Sequence, residues 1–119
     1  MGAFDESVPC DYPKVSYKVA RSVVKTPNSR GILLCMSGIG QAIAANKVPG
    51  AYAALCYNVA SAKLSRQHNN ANILVLGAKF VKAKDLPRLI KTWLTTEFAG
   101  GRHERRVNQI KNIEKGKTP

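Results

Sequence analysis

The chain has 119 residues, with 19 lysines and arginines against 7 aspartates and glutamates, which gives a net charge of +12 at pH 7. This length predicts a single domain with one hydrophobic core, and no apolar stretch approaches the roughly 20 residues that a membrane-spanning helix needs, which argues against a membrane partner. The basic residues are spread along the chain without an aromatic-rich RNA-binding motif, so the charge indicates a solvated basic surface and no specific nucleic-acid partner.

The first half of the chain predicts a helix, a strand and a second helix. Pro13 suits the first turn of a helix that ends at Thr26, just before Pro27. Residues 32–34 predict a buried strand, residues 37–40 a tight turn and residues 42–47 a helix. The first helix has one apolar face, formed by Val15, Val19, Val23 and Val24.

The second half continues this alternation. Asn58 is a typical cap for the start of a helix, and Gly100 and Gly101 separate the last two helices. The predicted elements are strands at residues 51–56 and 73–77 and helices at residues 58–67, 84–98 and 103–115. Alternating helices and strands with right-handed crossovers predict a three-layer α/β/α fold, with a parallel sheet covered on both faces.

The number and order of these elements are unusual for this fold class. Only three strands are predicted, although parallel sheets covered by helices usually contain more. The chain also opens with a helix that has no strand before it. We therefore expect the sequence to begin within a domain.

The segment from Gly31 to Gly50 places a thiol and two glycines where a strand passes into a helix. Glycines let backbone N–H groups face a ligand, and the helix N-terminus behind them favours negative charge. Cys35 closes the strand beside this positive end, where a thiol can supply a base or a nucleophile. Alternatively, Cys35 is a small buried apolar residue of an ordinary connection.

The cysteines and the N-terminal residues indicate the cellular compartment. Cys10, Cys35 and Cys56 form an odd set without the spacing of a metal site, which favours reduced thiols. The acidic residues Asp5, Glu6 and Asp11 argue against a signal or transit peptide. We therefore expect a cytoplasmic protein.

Four segments carry a resemblance to a known family. They are Asp11-Tyr12-Pro13, the strand end Cys35-x-Ser37-Gly38-Ile39-Gly40 followed by residues 43–47, residues 61–69, and Gly100-Gly101-Arg102-His103-x-x-Arg106. In these segments, in their order and in their spacing, the chain resembles the type B ribose-5-phosphate isomerase family, which includes allose-6-phosphate and galactose-6-phosphate isomerases. The resemblance implies a Rossmann-like α/β/α domain over residues 1–119, with three of the family's five strands and without its N-terminal strand-helix-strand unit.

The resemblance also implies an activity, which is the interconversion of ribose 5-phosphate and ribulose 5-phosphate through a cis-enediolate. Cys35 matches the family's base, which removes the proton next to the carbonyl group. Ser37, with the backbone N–H groups of Gly38, Ile39 and Gly40, matches the loop that stabilises the enediolate oxygens. The resemblance implies no metal and no cofactor. It does imply a homodimer or a dimer of dimers, in which two subunits share each site.

The remaining matches concern ring opening and the phosphate group. His68 matches the family's ring-opening histidine, and Asn69 matches the neighbour that binds sugar hydroxyls. Arg102 and Arg106 match the phosphate clamp, because guanidinium groups suit phosphate geometry. On the residues alone, His68 also suits a helix C-terminus and the arginines a solvated helix face.

Two further matches and two departures complete the comparison with the family. Tyr12 matches a pocket residue, and Lys79 falls where some members have a substrate-contacting arginine. Met36 replaces the usual glycine, which leaves the sugar preference open. Gln41 stands where some members have a glutamate base and cannot accept the proton, so Cys35 is the remaining candidate.

The family's first turn carries an Asp-His pair that helps to bind and open the sugar phosphate, and this sequence begins after that turn. Three alternatives therefore stay open. Beside the ribose-5-phosphate isomerase, the alternatives are a six-carbon sugar-phosphate isomerase for allose or galactose 6-phosphate, an impaired non-catalytic remnant that binds phosphosugars, and a weak nucleic-acid binder driven by its charge.

Overall fold

The computed structural model describes residues 11–119, so Asp5, Glu6 and Cys10 lie outside the described residues. In the described range, three parallel strands lie in the order β1-β3-β2. They are β1 (Gly31–Cys35), β2 (Ala53–Cys56) and β3 (Ile73–Gly77). The helices are α1 (Tyr12–Lys25), α2 (Ile39–Asn46), α3 (Val59–Asn69), α4 (Leu86–Thr95) and α5 (Arg102–Glu114), and a 3-10 turn at Ala83–Asp85 precedes α4. The predicted three-layer α/β/α fold is confirmed.

The core lies on both faces of the central strand β3, in which all five residues are buried. On one face, Ile73 and Val75 pack with buried residues of α1, α2 and Leu33. On the other face, Leu74 and Leu76 pack with buried residues of α3 and α4, including Trp93. Burial on both faces explains why β3 is a continuous apolar run without alternating polar residues.

One face of β1, the edge strand that ends at Cys35, is not covered by a helix. Leu33 is buried, whereas Ile32 and Leu34 are 42% and 60% exposed. Both point to the face on which α3 and α4 pack against β3, because they pair in register with Leu74 and Leu76. The core on that face contains neither side chain, because α4 packs over the central strand and not over this edge of the sheet.

Local interactions move two element starts away from their predicted positions. Helix α2 begins at Ile39 and not at residue 42, because Gly38 adopts a left-handed φ of 80° and turns the chain directly into the helix. Strand β2 begins at Ala53 and not at residue 51, because the Ala51 N–H donates to the Val48 carbonyl within the preceding turn.

The ends of three helices also differ by one to three residues from the prediction. Helix α3 extends to Asn69, because Asn70 caps it in the left-handed conformation with a φ of 51°. Helix α4 ends at Thr95 and not at residue 98, because Thr96 is extended. Helix α5 spans Arg102–Glu114 and so lies one residue earlier than predicted.

Two predicted helix starts are confirmed. Pro13 lies in the first turn of α1, where a missing N–H has no cost. Asn58 caps α3 and accepts a hydrogen bond from the Ser61 N–H at 2.7 Å, while the Ser61 hydroxyl accepts one from the Asn58 N–H. Within residues 11–119, no helix has the length and apolar character to cross a membrane.

Leu76 and Leu34 form a matched pair for testing this account of the core, since they are the same residue type at paired positions, 2% and 60% exposed. We expect Leu76→Ala to lower the free energy of unfolding by about 2–5 kcal/mol, because it leaves a cavity. Leu34→Ala should change it by about 0.5 kcal/mol or less, as at other exposed sites. Urea denaturation with an unchanged m-value measures both. A loss at Leu34 as large as that at Leu76 would contradict the exposure of this face.

Candidate active site

The carboxyl ends of β1 and β3 bring together the first group of predicted site residues. Cys35 is the last residue of β1 and is partly buried. Its carbonyl accepts a hydrogen bond from the Ala78 N–H at 2.7 Å, and the next carbonyl, of Met36, accepts one from the Lys79 N–H at 2.9 Å. These bonds hold the backbone of Lys79 beside the Cys35 loop. The carboxyl edge of a parallel sheet is also where α/β proteins usually bind ligands.

The loop after Cys35 packs closely against β2 and β3, and only glycine fits at two positions of this contact, one in the loop and one at the end of β3. A Cβ atom on Gly38 would lie 2.7 Å from Leu55 Cδ1, in addition to the positive φ of this residue. A Cβ atom on Gly77, at the end of β3, would overlap the carbonyl of Ser37. The absence of side chains therefore lets the loop lie directly over the end of the central strand.

The start of α2 presents backbone donors beside this loop. The Ile39 N–H donates to Ser37 Oγ at 3.3 Å. No hydrogen bond among the described residues uses the N–H groups of Gly38 or Gly40. The first turn of a helix leaves such groups without intrahelical acceptors and carries partial positive charge. The corner can therefore bind an oxyanion.

Aromatic side chains border the same corner. A Cβ atom on Gly40 would overlap the ring of Tyr12, so this ring lies directly against the loop. The Tyr57 hydroxyl donates to the Ser37 carbonyl at 3.4 Å, and its ring lies 5.3 Å from that of Phe80. Tyr57 and Phe80 are not among the site residues predicted from the sequence. Their position directly after the ends of β2 and β3 is the signal that could have indicated them.

The second group of predicted site residues lies where α3 ends and α5 begins. His68 and Asn69 are the last two residues of α3, and Arg102 is the first residue of α5. The rings of His68 and His103 stack with their centroids 4.1 Å apart and their planes at 10°. The structure therefore brings the predicted ring-opening histidine next to the turn that carries Arg102 and Arg106.

Hydrogen bonds to α3 fix the segment that leads into α5. Arg66 Nε donates to the Thr96 carbonyl at 3.1 Å, and the Ala99 N–H donates to the Gln67 carbonyl at 3.0 Å. Arg66 is 5% exposed, so its bond to Thr96 is largely shielded from water. The segment before Arg102 is thereby held against the last turns of α3.

The charges around the histidine stack act on His103. Partial burial lowers the pKa of His103, and the neighbouring charges of His68, Arg102 and Arg106 lower it further. This shift favours the neutral imidazole beside the arginine turn.

The two groups lie at opposite ends of the strands. Cys35 is at the carboxyl ends, and His68 is at the amino ends. Helix α3 begins directly after the carboxyl end of β2 and ends directly before the amino end of β3. At 1.5 Å per residue, α3 carries His68 about 14 Å from the edge at which Cys35 lies. A base and a ring-opening group must both come within about 3 Å of the same substrate. Within a single copy of the chain, the residues of each group therefore lie close to one another, but Cys35 and His68 do not.

Comparison with known proteins gives one family along nearly the whole chain. The sequence profile of the Ribose/Galactose Isomerase family matches residues 1–110. Ribose-5-phosphate isomerase B of Escherichia coli is 41% identical over 104 residues, which cover 87% of this chain and 70% of that protein.

Solved structures show the same similarity in three dimensions. Ribose-5-phosphate isomerase B of Clostridium thermocellum has a TM-score of 0.91 and 46% identity, covering 97% of this chain and 77% of that one. Ribose-5-phosphate isomerase B of Mycoplasma genitalium, solved with bound ribulose-5-phosphate, has a TM-score of 0.91 and 40% identity, covering 97% and 76%.

The stack of His68 and His103 gives a test of the second group. We expect Arg106→Met to raise the pKa of His103, because removing a positive neighbour makes protonation easier. NMR titration of the imidazole protons measures this shift. Lys115→Met removes the same charge at the far end of α5 and serves as the control. Equal His103 titrations in the wild type and Arg106→Met would place Arg106 away from the stack.

Proposed function

The chain belongs to the Ribose/Galactose Isomerase family, and we propose that it interconverts ribose 5-phosphate and ribulose 5-phosphate. The observation that carries this proposal is the match to an isomerase structure solved with bound ribulose-5-phosphate, over 97% of the chain at a TM-score of 0.91. The similarity to the E. coli isomerase, at 41% identity, supports the same substrate. The chain is therefore a sugar-phosphate isomerase, and we propose roles for the residues of the two groups described above.

In this mechanism Cys35 moves the proton. As a thiolate, its sulfur takes the proton from the carbon next to the substrate carbonyl, which leaves a cis-enediolate. The same thiol then returns the proton to C1, while the hydroxyl proton passes from the C2 oxygen to the C1 oxygen, so that aldose becomes ketose with no net gain or loss of atoms. The position of Cys35 at the carboxyl end of β1, next to the first turn of α2, supports this role. Gln41, three residues into α2 from Gly38, has no basic oxygen and cannot replace it.

The corner at Ser37 holds the negative charge that develops on the enediolate oxygens. The N–H groups of Gly38 and Gly40 and the Ser37 hydroxyl are the donors nearest to that charge. Ile39 contributes by donating to Ser37 Oγ, which orients the hydroxyl. Donors fixed by the backbone need no reorganisation during the reaction, and this is the usual source of such stabilisation. The Tyr12 ring against Gly40 supports a role for Tyr12 as one wall of the pocket, and Lys79 is held beside the loop.

The second group opens the sugar ring and holds the phosphate. His68 exchanges a proton with the ring oxygen, and Asn69 binds the sugar hydroxyls. Arg102 and Arg106 bind the phosphate, since they lie one turn apart at the start of α5, where their guanidinium groups can act together.

A complete site then needs two copies of the chain. We infer a homodimer in which Cys35 of one subunit and His68 of the other act on the same substrate. The distance of about 14 Å along α3 between the two edges of the sheet supports this arrangement. Three apolar side chains near the Cys35 loop, namely Met36, Ile39 and Ile43, are 70%, 51% and 59% exposed, which supports contact with a second copy there.

The proposal includes a cytoplasmic location, where sugar phosphates are metabolised. The thiols of Cys35 and Cys56 support it, since neither forms a disulfide in the described part of the chain. A six-carbon sugar phosphate is the second candidate substrate. The observation that favours it is the match of residues 1–110 to a family described as Ribose/Galactose Isomerase.

Replacing the proposed base tests the reaction directly. We expect Cys35→Ala to abolish turnover of ribose 5-phosphate and to leave its binding largely intact, because the thiol acts in the chemical step. Coupled assays with ribose, allose and galactose phosphates measure turnover, and calorimetry measures binding. Cys56→Ala, at the other cysteine in the described range, should keep the activity. Retention of most activity in Cys35→Ala would contradict the role of Cys35, and absence of turnover in the wild type would indicate a non-catalytic chain.

Mixing two inactive variants tests the shared site. In a symmetric dimer, a mixture of Cys35→Ala and His68→Ala subunits forms about half heterodimers, each with one intact site of two. We therefore expect refolded mixtures to recover about a quarter of the wild-type activity. A mixture of Cys35→Ala and Ser37→Ala, which affects the same half-site twice, should recover none. If neither mixture gains activity, each site belongs to one subunit.

A further inference from the structure

A cavity of about 400 Å³ lies at the amino ends of the strands, whereas the Cys35 loop lies at their carboxyl ends. It is bordered by the loop after α1, the start of β2, the end of α3 and one side of α5. Its lining includes Asn28, Arg30, Tyr52, Arg66, Asn70 and Lys111. A volume of this size suits a small-molecule ligand. No role in the isomerase mechanism falls to this cavity.

The cavity is lined by three cations and by no aspartate or glutamate among the described residues. They are Arg30, Arg66 and Lys111. Arg66 is 5% exposed, and a buried charge is costly unless an opposite charge or strong hydrogen bonds compensate it. Its acceptors are neutral, namely the carbonyls of Thr96 and Ala71 and the amide oxygen of Asn70.

Both arginines are held in place and keep donors free. Arg30 Nη1 donates to the carbonyls of Trp93 and Leu94 at the end of α4, at 3.1 and 2.9 Å. Arg66 uses Nε and Nη1 in the same way. Within residues 11–119, no hydrogen bond uses Nη2 of either guanidinium. Each arginine therefore keeps an unused pair of N–H donors at a cavity that both of them line.

Neighbouring negative groups do not balance these charges. The end of α4 contributes about half of one negative charge. Burial lowers the pKa of Arg66, and the positive charge of Arg30 lowers it further, which is the effect of two like charges close together. The nearby carboxylate of Glu114 accepts hydrogen bonds from the Gly50 N–H and the Tyr52 hydroxyl. Burial and this carboxylate raise the pKa of Tyr52 to about 12, so the hydroxyl stays protonated and engaged.

We propose that this cavity is a second anion-binding site, formed by Arg30, Arg66 and Lys111, which takes a small phosphorylated ligand. Guanidinium forks and an ammonium group together suit a phosphate dianion better than a carboxylate, because three positive charges meet two negative ones. The site is separate from the phosphate clamp. At about 100° per residue, Lys111 lies roughly 140° around α5 from Arg106, so the two face different sides of the helix.

Inorganic phosphate is the probe for this site. Titration at constant ionic strength, followed by the backbone amide signals of Asn28 and Gly50 in NMR spectra, reports on the cavity separately from the substrate site. We expect saturable shifts of these signals in the wild type and in Arg106→Ala, in which the substrate clamp is impaired. Lys111→Met should weaken phosphate binding at the cavity about three- to tenfold, consistent with the loss of one charged contact.

Lys115→Met is the matched control, since Lys115 lies four residues after Lys111, directly after the end of α5, is exposed and does not line the cavity. We expect it to leave phosphate binding at the cavity unchanged. Equal weakening by Lys111→Met and Lys115→Met would show a diffuse effect of net charge and overturn the proposal. Shifts that vanish in Arg106→Ala would assign the phosphate to the substrate site, and the lack of saturable shifts in the wild type would also overturn it.

Discussion

The whole arrangement depends on the burial of β3 on both faces. The central strand pairs with β1 on one side and β2 on the other, in parallel and in register. This pairing aligns the carboxyl ends of all three strands at one edge. Gly77 at the end of β3 then lets the Ser37 loop pass directly above the strand. The position of Cys35 is therefore a consequence of core packing. A shift of β3 would move Gly77, which pairs with Cys35, and also the Ser37 loop that lies above Gly77.

The direction of the helices separates the two groups of predicted site residues. In a parallel sheet each helix returns the chain from the carboxyl edge to the amino edge, so residues at opposite ends of α3 cannot meet. Cys35 lies near the first end and His68 near the second. A reaction that needs both side chains must then use two chains. The proposed homodimer would also cover the exposed apolar side chains of Met36 and Ile39 beside the Cys35 loop.

Much of this structure could be predicted from the sequence, because the signals are local. The apolar runs of β1 and β3, Pro13 and Asn58 identify the elements correctly. The start of α2 could not be placed, because it depends on the left-handed Gly38. The exposed face of β1 depends on the place of this strand at the edge of the sheet and on how far α4 extends across it. Within the site, the glycine loop is visible in the sequence, whereas the stack of His68 on His103 depends on tertiary contacts.

Arg66 lies between the proposed phosphate clamp at the start of α5 and the proposed anion-binding cavity. Its guanidinium group holds the Thr96 carbonyl and so fixes the segment that leads to Arg102, and it also lines the cationic cavity. A phosphorylated ligand in the cavity would contact the group that positions the substrate clamp. Binding free energies linked in this way are reciprocal, so any change that the anion makes in substrate affinity equals the change that substrate makes in anion affinity. Since Arg66 is 5% exposed and donates to backbone and amide oxygens, its guanidinium group is fixed where a ligand of the cavity would contact it.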